Sequence, residues 1–177
     1  MNEGPKFLPQ LDARGIGFLP PLEKIGIDFP PKGDSANAYF AQLLATNTVE
    51  SEIYFFVPGM ENLRKGDDQK DTRETILAAG ENGFAYIMTT DGKALTDISS
   101  FTPLILAPVK TQGAEPIFDP EPFDRSFVYG QADGSATTGS IDENGHALTK
   151  DRENFFQTDN NSLFGTDTPV VKYPLGL

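Results

Sequence analysis

The chain contains no cysteine, which excludes disulfides, thiolate metal sites and a cysteine nucleophile. That absence does not fix the compartment, because many bacterial surface proteins fold without disulfides. There is a single histidine, His146, between Gly145 and Ala147, so a histidine-based zinc or iron site of ordinary composition is excluded. A general base needs an orienting partner and a water-excluding pocket, and a histidine in so turn-like a context is expected to be solvent-exposed. GxSxG, the Walker phosphate loop and GxGxxG are all missing. The Gly15-Ile16-Gly17 spacing lacks the preceding strand and following helix of a nucleotide cradle. The expectation is a protein that is not an enzyme.

Positive charge is also scarce. Lys and Arg number 14 against 26 Asp and Glu, a formal net charge of −12. Such an excess repels phosphate backbones and anionic lipid surfaces, so nucleic acid is not an expected partner. Its simplest meaning is a solvated surface. No run of about 18 apolar residues occurs, and no basic-then-apolar segment opens the chain, so the chain as given reads as soluble.

What is present suffices for one domain with a real core. A chain of 177 residues buries roughly 70% of its unfolded surface. Three regions are expected within it: a Pro-rich arm over 1–32, a helix and sheet core over 33–141 and a C-terminal extension over 142–177. The arm carries Pro5, Pro9, Pro20, Pro21, Pro30 and Pro31, too many for helix or central strand, and reads as extended chain lying on the core.

The clearest local pattern runs from Gly33 to Gly59. Asp34 and Ser35 are N-cap residues, and Ala36, Phe40, Leu43 and Leu44 follow at spacings of three and four. This predicts a helix of about three turns with Asn37, Ala41 and Gln42 off its apolar face. Propensity fades through Thr46, Asn47, Thr48 and Val49. IYFFV at 53–57, closed by Pro58-Gly59, reads as a mostly buried strand for the helix to cover. The charged stretch from Glu61 to Glu74 reads as a surface loop.

Further strands are expected at Phe84–Thr89 and in PLILAPV at 103–109, the second buried and terminated at Pro108. In the first, Phe84, Tyr86 and Met88 face one way and Ala85 and Ile87 the other. Asp91-Gly92 and Asp133-Gly134 each suit a tight turn, the second between two strands within 125–141. A loop is expected at Glu115–Asp124. In the tail, a short helix is possible at Lys150–Phe156 and VVKY at 170–173 is β-like. The fold class is therefore α+β, an antiparallel sheet with a packed short helix and long loops.

One site chemistry remains open, calcium. Asp119, Glu121 and Asp124 lie close together in a proline-stiffened loop, and Asp67, Asp68 and Asp71 form a second acidic group. Neither has the spacing of an EF-hand loop. No other cofactor is expected.

GDSANAYFAQLL, ESEIYFFVPG, AAGENGFAYI, PLILAPV and FVYGQADGSATT follow one another in this chain. In order and approximate spacing they resemble the type IV pilin-like proteins of verrucomicrobial and planctomycete bacteria, relatives of type IV pilins and of the pseudopilins of type II secretion. The resemblance covers 33–138 well and the two ends loosely. It implies that DSANAYFAQLL is a second helix packed behind the sheet and that FVYGQADGSATT carries a β-hairpin. It also implies a non-enzymatic structural subunit of the cell surface, serving fibre assembly, adhesion or secretion, with a host or surface ligand as a possible partner. Family members open with a basic leader and a Phe-Thr-Leu-Ile-Glu-type segment that begins a long apolar helix. Nothing of the kind precedes Met1, so the chain is expected to be the extracellular soluble head, its contacts with other pilin-like subunits made through that missing helix. The alternative is a secreted ligand- or glycan-binding module, with Phe118 and Phe123 as its contact surface.

Overall fold

In the computed structural model the described residues are 35–70, 75–89, 98–111, 113, 115–159 and 162–176. The Pro-rich arm over 1–32, Asp71 and the Asp91-Gly92 turn lie outside them. The described residues form one short α-helix and an antiparallel sheet, the expected α+β class.

Helix α1 spans Ala36–Ala45. Ser35 caps it, its hydroxyl accepting the Ala38 N–H at 3.3 Å. At the other end Thr46 leaves helical geometry, its hydroxyl donating to the Gln42 carbonyl at 2.8 Å, and Asn47 turns left-handed at φ 55°. The expected start, length and end therefore hold.

The expected faces do not. Asn37, Ala41 and Gln42 are as buried as Ala36, Phe40 and Leu44, while Leu43 is only partly buried. Asn37 is inside because its amide closes a network. Its Nδ2 donates to the carbonyls of Leu77 at 2.8 Å and Ala78 at 3.0 Å, and its Oδ1 accepts from Asn82 Nδ2 at 3.2 Å and the Leu175 amide at 2.9 Å. Those groups satisfy the polar side chain, so the helix can be buried on more than its apolar stripe.

The main sheet contains β1 (Ala85–Thr89), β2 (Pro103–Ala107), β5 (Ser126–Gln131), β6 (Ala136–Ile141), β7 (Ala147–Leu148) and β8 (Pro169–Lys172), ordered β7-β6-β5-β2-β1-β8. Its pairings are all antiparallel, among them Tyr86 opposite Ile105 and Met88 opposite Val170. A smaller sheet joins β3 (Val109–Thr111) to β4 (Ile117–Phe118). The strand read in PLILAPV ends at Ala107, before Pro108 as expected, and the cis peptide Ala107–Pro108 lies between β2 and β3. The loop expected at Glu115–Asp124 contains β4. At 170–173 the β-like reading holds.

The alternation read in Phe84–Thr89 separates two cores. Tyr86, with Phe84 and Met88, packs against α1, Phe55, Ile76 and Leu77. Ala85 and Ile87 belong to the opposite core, with Leu106, Phe118, Phe127, Phe155 and Phe164. The sheet is thus covered on both faces, the second by β3, β4 and the C-terminal extension. Aromatic rings dominate that side: Phe127 lies 4.8 Å from Phe118 and 4.9 Å from Phe155 between ring centroids. A Cβ at Gly139, opposite Phe127 in β6, would fall 2.2 Å from the Phe127 ring. Glycine is needed there because the ring occupies the space of a side chain.

The hairpin at Asp133-Gly134 forms as expected. Gly134 takes φ 86°, and Asp133 Oδ1 accepts the Ser135 amide at 2.8 Å. Two other expectations fail. Lys150–Phe156 is not helical: Arg152 is left-handed at φ 63°, and Asn154 makes an isolated bridge to Leu148. IYFFV is not a strand either. Glu52–Phe55 is a 3-10 helix, started by Ser51, whose hydroxyl accepts the Ile53 amide at 3.2 Å. β-propensity is outweighed there by tertiary bonds to Glu52, described next.

Candidate functional site

Among the described residues one group of acids converges: Glu52, Asp67 and Glu81 each place a carboxylate oxygen within 4.8 Å of the others. Glu52 comes from the first turn of the 3-10 helix, Asp67 from the charged loop, and Glu81 from the turn that precedes β1. Glu52 and Glu81 have relative exposures of 0% and 1%. Asp67 is exposed.

Each buried carboxylate is held by backbone. Glu52 Oε2 accepts the Asp68 amide at 2.7 Å and Oε1 accepts the Leu77 amide at 3.4 Å. Asp68 reciprocates, its Oδ1 accepting the Glu52 amide at 2.8 Å and its Oδ2 the Ser51 hydroxyl at 3.0 Å. Gly66 lets the loop approach: a Cβ there would meet Glu52 Cβ at 2.4 Å. Glu81 Oε2 accepts the Ala78 amide at 2.7 Å, and Arg64 Nη1 lies 2.9 Å from its Oε1. The second contact is an ion pair without hydrogen-bond geometry. Lys70 reaches the same rim, 3.8 Å from Asp68 Oδ1, and its ammonium donates to the Glu50 carbonyl.

Burial pushes the Glu52 carboxyl above its ordinary value, against the amide bonds from Asp68 and Leu77 and with the nearby charges of Glu81 and Asp68 adding to the rise. Asp68 is pulled the other way, chiefly by the Glu52 amide. Glu52, Asp67 and Glu81 are the residues that could hold a cation. They offer three carboxylates where calcium takes about six to eight oxygens, and the two buried ones are already engaged by amides and Arg64. The arrangement therefore acts first as a staple, joining the 3-10 helix to the loop at 66–68 and the turn at 77–81.

Sequence reasoning missed Glu52 and Glu81. The visible signal was an acid at the edge of an apolar run, ESEIYFFV, and another inside the AAGENG turn. Asp119, Glu121 and Asp124 are not brought together as such a group. Asp119 Oδ1 accepts the Glu121 amide at 3.1 Å, and its Oδ2 lies 4.0 Å from Lys110 Nζ. Of the second expected group, Asp67 converges with Glu52 and Glu81, and Asp68 exchanges hydrogen bonds with Glu52.

His146 is part-exposed, and its Nδ1 lies 3.2 Å from Asp142 Oδ2. The same carboxylate accepts the backbone amides of Asn144 and His146, both at 2.8 Å. Burial raises the Asp142 carboxyl, but these hydrogen bonds outweigh it and hold the group below its ordinary value. The pair closes a turn. Phe118, a contact residue only in the alternative ligand-binding reading, is fully buried against Phe127, so it belongs to the core. Phe123 is half-buried.

Comparison with protein-family models, with curated proteins and with solved structures found no match.

Proposed function

We propose that this chain is the extracellular head of a type IV pilin-like or pseudopilin subunit, a structural protein of the cell surface without chemistry of its own. The observation that carries the reading is the packing of α1 behind an antiparallel sheet, with Tyr39 and Phe40 against Tyr86 of β1 at ring separations of 5.0 and 6.1 Å. That arrangement agrees with the role the resemblance gives to DSANAYFAQLL, and the hairpin around Asp133-Gly134 agrees with the role it gives to FVYGQADGSATT.

In this reading subunits join through an N-terminal apolar helix, and the head supplies the outer surface of the fibre. The head alone is then a monomer at micromolar concentration, measurable by light scattering, and a tight oligomer would argue against it. Fractionation of the native cell tests the function itself. Recovery in the sheared surface fraction supports the reading, and recovery only in the cytosol contradicts it.

A further inference from the structure

We propose that the cleft between Arg125 and Arg152 is a binding site for an anionic sugar, its carboxylate or sulfate held between the two guanidinium groups. The cleft measures about 490 Å³ and lies where β5, β6 and β7 end. Arg125 immediately precedes β5, and its carbonyl accepts the Ile141 amide at 2.8 Å. Arg152 belongs to the turn after β7, its amide donating to the Thr149 carbonyl at 3.0 Å.

Three observations point to an anion. First, Arg125 and Arg152 both line the cleft, and among the described residues neither guanidinium has an ion pair or a hydrogen bond. Second, both residues sit on left-handed backbone, at φ 57° and 63°. Non-glycine residues adopt that conformation at a cost, and such outliers cluster at ligand clamps. Third, one of the two acids in the lining is already engaged: the Asp142 carboxylate is taken by Asn144 and His146.

The rest of the lining selects a sugar over a bare ion. Leu148, only partly buried, supplies an apolar surface for a pyranose face, while Ser140, Asn144 and Glu143 offer groups for hydroxyls. A guanidinium presents its donors in a planar fork that matches carboxylate and sulfate oxygens. This inference is independent of the pilin-like reading, and its failure leaves that reading where it stands.

The test is isothermal titration of the whole chain with glucuronate, a sulfated hexose, glucose and sodium sulfate. Saturable binding of glucuronate or the sulfated hexose is expected, without binding of glucose. Arg125→Gln and Arg152→Gln should each weaken it about tenfold or more, while Lys110→Gln leaves it unchanged. Both arginine side chains are exposed, so melting temperatures close to that of the parent verify that the variants fold. Absence of heat with both anionic sugars overturns the proposal. So does binding of glucose as strong as glucuronate, binding of sulfate alone, or binding that survives both arginine substitutions.

Discussion

Glu52 and Asp68 exchange hydrogen bonds: the Asp68 amide donates to Glu52 Oε2 at 2.7 Å, and the Glu52 amide donates to Asp68 Oδ1 at 2.8 Å. The pair locks a 3-10 helix to a charged loop sixteen residues away. Truncating Glu52 to Ala leaves the Asp68 and Leu77 amides without their acceptor, which should destabilise the fold by about 1–3 kcal/mol in urea unfolding at pH 7.

The same carboxyl sets a pH dependence. Its folded pKa lies above the ordinary value of 4.5, so between the two values the folded state holds more protons than the unfolded chain. Stability contributed by this group is therefore lost as pH rises through that window and stays lost above it. Asp68 and Asp142, lowered from 3.8, act oppositely: their contribution is present above 3.8 and disappears as pH falls through their folded values. Thermal melts from pH 3 to 8 should rise and then decline. Glu52→Gln should remove the decline, and a decline of unchanged size would assign it elsewhere.

Asn37 links α1 to the Leu77–Ala78 carbonyls, to Asn82 and to the Leu175 amide. Asn37→Leu keeps the volume but strands these partners, for a loss of about 1–3 kcal/mol. Hydrogen exchange at the Leu175 amide should accelerate well beyond the global change. Unchanged protection there would mean that the C-terminal segment is held by other contacts.

Phe40 stacks on Phe55 at 5.3 Å and meets the edge of Tyr86 at 6.1 Å. Phe40→Ala should cost about 3–5 kcal/mol in chemical denaturation. Leu43, only partly buried, should cost less than half as much, although helical spacing puts the two on the same apolar face. Equal losses would contradict the observed burial.

Gly139 is covered by the Phe127 ring, 2.2 Å from the position of an added Cβ. Gly139→Ala should destabilise by about 1–3 kcal/mol through overpacking. Combined with Phe127→Leu, the loss should fall short of the sum of the single losses, because the smaller side chain vacates the contested space.

Local chemistry was legible wherever it decided the outcome. The cap at Ser35, the fading helix after Ala45, the alternation around Tyr86 and the Asp133-Gly134 turn all depend on residues within a few positions of one another. What was not legible depends on distant partners. Glu52 became a 3-10 start because its carboxylate finds amides at 68 and 77. Asn37 is buried because carbonyls forty residues away receive its amide. The convergence of Glu52, Asp67 and Glu81 follows from the same tertiary bonds, so spacing along the chain carried no sign of it, whereas Asp119, Glu121 and Asp124 are near in sequence without converging.

The pilin-like reading is tested most directly by following the full-length product in its native cell, with and without its prepilin peptidase. The account predicts a shortened protein in the sheared fibre fraction of the parent strain and a longer, membrane-retained form in the peptidase mutant. A protein of the same length in both strains, recovered from the cytosol, would contradict it.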